Sequence, residues 1–279
     1  MTYKTVLVHC DASPKLALRL AVAADLAERF GAHLVGAYVQ APFDVPAFFD
    51  GAMPTEDLYK SYEAAAKADQ DAASAAFAKG IKGLHLPNEW RVTNGYVEHE
   101  LAVQARYADL LVLGQSEPDS ATQTPSDLPE AVALATGRPT LIVPHIGVTR
   151  PPGKAVMLCW NASRESARAA ADALPFLVAA DKVMVLVIDG RPSAQGHGAE
   201  PGADVAAWLA RQGVKAIVQR DVASDTTGVG EVILSRAADH DIDLIVMGIY
   251  GHSRLREMVL GGASRTLLSG MTAPVLMSH

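Results

Sequence analysis

The amino-acid sequence predicts an α/β protein of two tandem doubly wound domains, each built on a five-stranded parallel sheet. Three observations support this fold class. The chain has 279 residues, enough for two domains of about 100 to 150 residues that each bury a core. Short continuous apolar runs alternate with amphipathic helical segments, which is typical of a parallel sheet covered on both faces. This alternating pattern also occurs twice along the chain.

The repeat is marked by pairs of similar segments that occur in the same order. VLVHCDAS near the start corresponds to VMLCWNAS in the second half, ADLLVLGQ to IDLIVMGI, and RPTLIVPH to APVLMSH. A shared order with similar spacing indicates duplication of a whole domain rather than a short solenoid repeat. The positions brought into register are Val6 and Val156, Asp109 and Asp243, Gly114 and Gly248, and Pro139 and Pro274.

The two copies are separated by the segment HIGVTRPPGK, from His145 to Lys154. Its Pro-Pro-Gly sequence, residues 151–153, provides stiff backbone that continues neither a strand nor a helix. We therefore expect one domain over residues 1–147 and a second over residues 154–279.

The first copy opens with a buried strand from Val6 to Cys10. Asp11 and Ser13 can cap the helix that follows, and Gly31 suits its C-terminal end. The strand HLVGAYV comes next, ADLLVLGQ is the fourth strand, and PTLIVPH is the last. The apolar side chains of the first helix recur at helical spacing, at Leu16, Leu20, Ala24 and Ala27.

The second copy opens with a strand at Val156, and Asn161 or Ser163 can cap its first helix. Pro175 kinks or stops that helix, and VMVLVI, from Val183, is the second strand. One face of the helix carries Ala167, Ala171 and Leu174. In both copies we expect a ligand beyond the carboxyl ends of the strands, where the strand order reverses.

Charge and composition exclude several classes of partner. The formal net charge is −7, so no excess of basic residues neutralises a nucleic acid or an anionic membrane surface. No apolar run approaches the ~20 residues that span a bilayer, and the first residues lack an export signal. Cys10 and Cys159 lie in apolar strands and are interpreted as structural thiols. We expect a cytoplasmic protein that binds neither nucleic acid nor membrane.

The segment from Asp243 to Gly270 has the organisation of a phosphate-binding loop. A buried strand is followed by Gly248 and Gly251, where a ligand can approach the backbone closely. Gly261 and Gly262 then lead into a helix, whose first N–H groups and dipole favour an anion. The pattern predicts phosphate binding at this helix start. The alternative is that these glycines serve turns alone.

The spacing Gly248-x2-Gly251-x9-Gly261 resembles the G-x2-G-x9-G-(S/T) signature of ATP-binding universal stress proteins, and the resemblance extends over the chain as two copies. It implies the adenine nucleotide alpha hydrolase-like fold, and ATP as the ligand, with AMP or ADP as alternatives and Mg²⁺ as an optional companion. It also implies that the last strands of the two copies pack together, giving an intrachain pseudo-dimer related by a pseudo-twofold axis. Further homodimerisation stays open.

The same resemblance assigns residues to the nucleotide site. Asn161 is expected at the ribose, and Ile188 or Val187 near the adenine. The remaining lining residues are Met247, Gly248, Gly251, Gly261, Gly262, Ala263 and Ser264.

The chain departs from the signature at three places. Gly262 stands where the family has Ser or Thr, which removes a hydroxyl, and Asn161 replaces the acidic residue of the first loop. In the first copy no glycine follows Gly114 until Gly137. We therefore expect nucleotide binding in the second copy only.

Three classes of function remain open. The first is a stress-response protein that binds an adenine nucleotide and acts as a regulatory switch toward an unknown protein partner. The second is an interaction or chaperone-like scaffold without nucleotide, and the third is a small-ligand carrier or weak ATPase. No Ser-His-Asp order, nucleophile elbow or Walker lysine is present, so we assign no catalytic and no metal-binding residues and expect at most slow ATP hydrolysis.

Overall fold

The structure is a computed structural model that describes residues 2–43, 55–116, 127–191, 196–224, 227–249 and 262–279. The first half contains β1 (Thr5–Cys10), α1 (Leu16–Phe30), β2 (His33–Gln40), α2 (Glu56–Gly80), β3 (Asn88–Asn94), α3 (Val97–Ala105), β4 (Leu110–Gly114), α4 (Leu128–Thr136) and β5 (Thr140–Val143). The second half contains β6 (Ala155–Cys159), α5 (Arg164–Asp172), α6 (Leu174–Ala179), β7 (Lys182–Ile188), α7 (Ala203–Arg211), β8 (Ala216–Asp221), α8 (Val229–Asp239), β9 (Leu244–Gly248), α9 (Gly262–Gly270) and β10 (Val275–Ser278).

The strands of both halves form one ten-stranded sheet in the order β3-β2-β1-β4-β5-β10-β9-β6-β7-β8. Pairing is parallel within each half, and only β5 and β10, at the centre, pair antiparallel among the described strands. The order is the same when followed from either edge, which is the arrangement of a pseudo-twofold axis between β5 and β10. The expected fold class, two five-stranded parallel sheets related in this way, is confirmed.

Helices cover both faces of this sheet. One apolar cluster joins α1 and α2 of the first half to α5, α6 and α7 of the second. The opposite face holds a cluster under α3 and α4 and another under α8 and α9. Within β1, Val6 and Val8 face the first cluster and Leu7 faces the opposite side, because successive strand residues alternate. Burial on both sides explains why inner strands such as β4 and β9 are apolar without interruption, whereas the edge strands β3 and β8 contain polar residues and are partly exposed.

The first helices of the two halves begin differently. Ser163 caps α5 by accepting a hydrogen bond of 3.1 Å from the Ser166 N–H, as its position predicts. In the first half Asp11 Oδ1 accepts from the Ser13 N–H at 3.0 Å, and Ser13 Oγ accepts from the Lys15 N–H at 3.1 Å. These local turns compete with helix, so α1 begins only at Leu16 and the expected cap is absent.

Asp109 and Asp243, which match in the sequence repeat, have the same structural role. Asp109 Oδ2 accepts hydrogen bonds of 2.8 and 3.0 Å from two backbone N–H groups at the start of β1. Asp243 accepts three, of 2.7, 3.0 and 3.0 Å, from backbone N–H groups at and just before the start of β6. Each aspartate therefore ties the strand that follows it, β4 or β9, to the neighbouring strand β1 or β6.

Side chains also connect the two halves outside the sheet. Gln115 Nε2, after β4, donates a hydrogen bond of 2.7 Å to the Leu268 carbonyl in the last turn of α9. Tyr3 and Phe30 of the first half pack with Phe176 of α6, with ring centroids 5.1 to 5.6 Å apart. Within the described ranges, no helix has the length and apolar content that crossing a membrane requires.

Candidate functional site

The candidate site lies where the strand order of the second half reverses, between β9 and β6. These two strands pair in parallel, so their carboxyl ends, Gly248 and Cys159, lie at the same edge of the sheet. In doubly wound sheets the crevice at this reversal is the usual ligand position. The loop after β6 leads into α5, and α9 is the next described helix after β9.

Gly248, at the end of β9, is in close contact with the first turn of α5. A Cβ at this position would lie 2.6 Å from the Ser166 backbone nitrogen and would also collide with Glu165. Backbone atoms of a helix cannot yield as a side-chain end can, so only glycine fits here. The structure therefore gives Gly248 a packing role in addition to the ligand role that the sequence suggested.

Asn161 is exposed in the loop after β6. Its Oδ1 accepts a hydrogen bond of 3.1 Å from the Ser163 N–H, which leaves the amide nitrogen as the group it can offer to a ligand oxygen. Between these two residues Ala162 adopts a φ of 59°, a left-handed conformation that costs energy for a residue with a side chain. The loop is therefore held in a strained turn at the edge of the crevice.

Helix α9 presents its N-terminus on the β9 side of the crevice. Gly262 is its first residue, and a Cβ built there meets no atom of the described residues within 4 Å. The first N–H groups of a helix have no partner within the helix itself. Ala263 is half-buried and Ser264 is buried. This combination can receive an anionic group.

Helix α8 positions α9 from behind. A Cβ at Gly230 of α8 would lie 2.7 Å from the Thr266 Cβ and 3.0 Å from the Ala263 carbonyl oxygen of α9. The two helices therefore pack at a distance that only glycine permits, and this contact determines where the first turn of α9 lies. A glycine inside an otherwise helical segment was the sequence signal that could have revealed this contact.

The apolar residues expected to line the nucleotide site lie on different faces of the sheet. Met247 is buried and Ile188 is half-buried, and both contact the cluster under α8 and α9. Val187 is buried on the opposite face, in the cluster under α5 and α7. Ile188 and Met247 therefore share a face, and Val187 does not. Gly251 and Gly261 lie outside the described residues.

Comparison with known proteins identifies the family. The family model for the universal stress protein family matches residues 2–144 and again residues 153–279. The chain belongs to the universal stress protein family. A comparison with curated proteins found no match.

Solved structures of universal stress proteins share the two-domain fold. One from Archaeoglobus fulgidus is 14% identical, covers 98% of this chain and 95% of its own, and superposes with a TM-score of 0.72. A putative universal stress protein from Pseudomonas aeruginosa is 15% identical, covers 99% of this chain and 93% of its own, and has a TM-score of 0.61. At these identities the likeness concerns the fold.

Glu165 places a fixed negative charge on the α5 side of this universal stress protein's crevice. The residue is 7% exposed. Burial alone would raise the pKa of Glu165, but hydrogen bonds from its own N–H and from Ser163, with the charges of Arg164 and His279, lower it overall. An ionised carboxylate here repels phosphate. The sequence carried no signal for this role.

The two cysteines are not suited to nucleophilic chemistry. Burial raises the pKa of Cys159, at the end of β6, to about 12. The pKa of Cys10 is raised to about 12 as well, again chiefly by burial. Both thiols are free and stay protonated near neutral pH, and a protonated thiol is a poor nucleophile.

Proposed function

We propose that this universal stress protein binds ATP, or another adenine nucleotide, in its second half and acts as a regulatory switch in the stress response. The observation that carries the proposal is the N-terminus of α9, the helix that follows β9 at the reversal of strand order, where a Cβ on Gly262 meets no atom of the described residues within 4 Å. Unpaired N–H groups and the helix dipole at such a position bind phosphate well.

Each part of the nucleotide has a candidate partner. The backbone N–H groups from Gly262 to Ser264 would hold phosphates, and the Asn161 amide would meet a ribose hydroxyl. Ile188 and Met247 provide an apolar side for the adenine. AMP or ADP would use the same groups with fewer phosphates. Mg²⁺ would be held chiefly by the phosphates and by water, as is usual for this ion in nucleotide sites.

Helix α9 also offers a route from the nucleotide to the first half. Its first turn would contact the phosphates, and its last turn accepts the hydrogen bonds of Gln115, at 2.7 Å to Leu268 and 3.3 Å to Ser269. A shift of this nine-residue helix on ligand binding would therefore move a contact between the halves. We infer that the partner protein senses this change, and that the protein works in the cytoplasm, where buried free thiols stay reduced.

The test is calorimetric titration of ATP with Mg²⁺ into the full chain and into variants at Gly262. We expect one site per chain. Gly262→Val should fold, because its position is open, but its side chain should crowd the phosphates and weaken binding at least tenfold. Gly262→Ser supplies the hydroxyl of the family signature and should tighten binding about three- to tenfold, the effect of one added hydrogen bond. Gly262→Ala, which adds a methyl without a hydroxyl, is the control for Ser.

Absence of saturable binding to the wild-type chain would exclude the nucleotide switch. An interaction or chaperone-like scaffold without nucleotide would then be the better hypothesis, and two residues support it. Gly262 lacks the hydroxyl of the signature, and Asn161 lacks the charge that would hold a ribose firmly. Binding that is equal in wild type and Gly262→Val would place the nucleotide elsewhere in the molecule.

A further inference from the structure

The first half has a crevice at its own reversal of strand order, between β1 and β4, and a side chain of the same half fills it. Arg19 of α1 is 4% exposed. Its Nε donates a hydrogen bond of 2.7 Å to the His9 carbonyl oxygen, and its Nη2 donates to Asp11 Oδ1. Its Nη1 would lie 3.0 Å from a Cβ built on Gly114. The guanidinium therefore spans the ends of both strands.

The second half has no arginine at the equivalent position of its first helix. In the repeat, Arg19 corresponds to Ala169, and Asp11 corresponds to Asn161. The three atoms nearest to a Cβ on Gly114 all belong to Arg19, whereas those nearest to a Cβ on Gly248 belong to the first turn of α5. Among the residues that the structure describes, only the first half thus has a guanidinium at this position, and the repeated fold does not require it.

The groups around Arg19 match a planar cation. Asp11 supplies a carboxylate oxygen and His9 a carbonyl oxygen, both acceptors, on the same side of the crevice. Burial alone would raise the pKa of Asp11, but the charge and hydrogen bond of Arg19, with a smaller effect from His9, lower it overall. The carboxylate therefore stays ionised while the guanidinium is present.

We propose that Arg19 is a built-in occupant of the first-half crevice, where its guanidinium takes the position of a ligand. Ala169, at the equivalent position of the second half, has no side chain that could do the same. If Arg19 is truncated to alanine, the Asp11 carboxylate and the His9 carbonyl oxygen form a site for a small guanidinium compound. This inference depends on the fold and on the contacts of Arg19, and it holds whether or not the second half binds a nucleotide.

The test uses full-length Arg19→Ala and methylguanidinium as the probe. We expect the variant to melt at a lower temperature than the wild type, and to bind about one equivalent of methylguanidinium with recovery of at least half of the lost melting temperature. Sodium chloride at the same concentration should have no such effect. Arg236→Ala is the matched control, because Arg236 pairs with Asp221 and Asp239 on a partly exposed surface. Truncation of Arg236 leaves no enclosed space, so the Arg236→Ala protein should not bind an equivalent of methylguanidinium.

Two results would overturn the proposal: an Arg19→Ala protein that binds no methylguanidinium, or one that binds it equally after Asp11→Asn is added. The added change should weaken binding at least tenfold. If Arg19→Ala does not fold alone, refolding from urea with millimolar methylguanidinium decides the question, since recovery of the native signal supports the occupant and no recovery contradicts it. ATP titration of the same variant should match the wild type, which separates this test from that of the second half.

Discussion

At the scale of single residues, the end of β1 concentrates buried ionisable groups. His9 is 3% exposed, and burial lowers the pKa of its imidazole from 6.5 to about 4, against the raising effect of Asp11 and with a smaller lowering effect of Arg19. The imidazole is therefore neutral in the folded protein at neutral pH. The unfolded chain takes up this proton at a higher pH than the folded protein does.

This difference predicts that His9 makes the free energy of unfolding decrease in acid. As the pH falls from 6.5 toward about 4, the unfolded state binds the proton first, so the free energy of unfolding decreases across that window. The total loss should be roughly 3 kcal/mol once the pH is below both values. His9→Gln should flatten the curve, and urea unfolding between pH 7 and pH 4 measures it. His99→Gln, on the exposed surface, is the control, and an unchanged slope in His9→Gln would contradict the assignment.

Residue roles differed in how well the sequence predicted them. The Ser163 cap follows from a local rule, since a side chain two or three residues from a helix N–H needs no distant partner. The role of Arg19 could not be predicted, because it depends on how α1 lies over the ends of two strands. Glu165 is similar. Its burial results from the close contact of α5 with Gly248, which is a tertiary distance and not a spacing along the chain.

At the scale of elements, the packing of α8 against α9 fixes the position of the first turn of α9. The apolar spacing of Val229 to Asp239 is sufficient to predict α8, but the meaning of Gly230 depends on its neighbour. Likewise, Pro175 predicted a break, and the structure has one, with α5 ending at Asp172 and α6 beginning at Leu174. Proline acts locally, whereas a glycine contact requires both helices.

Gly230→Ala tests the helix contact. Gly230 is the second residue of α8, so alanine gains less there than the about 1 kcal/mol by which it exceeds glycine in a helix interior. Here the new methyl would meet the Thr266 side chain at 2.7 Å, so we expect a net loss of about 1 to 3 kcal/mol in the free energy of unfolding. Ser235→Ala, at an exposed position of the same helix, is the control and should be neutral or slightly stabilising. Urea unfolding measures both, and a stabilised Gly230→Ala would show that α9 can move away at little cost.

At the scale of the whole molecule, the decisive feature is the central pair of β5 and β10. Each half could be predicted from its own periodicity, because apolar strands and amphipathic helices are local patterns. The joining of the two sheets could not be predicted from periodicity, since it depends on which edges meet. Only the resemblance of the chain to its family suggested that the last strands pair. The apolar cluster on one face crosses the junction, so the halves share a core as well as a sheet.

A shared core and sheet predict that the halves stay together after the connection is cut. A protease site inserted at Thr149, which is exposed, allows the folded protein to be cleaved between the halves. We expect the cleaved protein to elute as the uncut one does in gel filtration. Immediate separation of the halves would contradict a continuous sheet.

The strength of this association should depend on Gln115. Its Nε2 donates to the Leu268 carbonyl at 2.7 Å, and its Oε1 accepts from the His145 N–H at 2.9 Å, so it ties α9 to the loop after β5. Only the bonds to α9 cross between the halves, because His145 belongs to the first half. Gln115→Ala removes the bond to Leu268 and the longer one of 3.3 Å to Ser269. At about 0.5 to 1.5 kcal/mol each, we expect roughly tenfold weaker association of the cleaved halves. Dilution of labelled halves followed by fluorescence anisotropy measures it, with Gln212→Ala on the exposed surface as the control. Equal affinities for the two variants would mean that the strands and the apolar cluster alone hold the halves, and that α9 has no polar link through which a ligand could act on the first half.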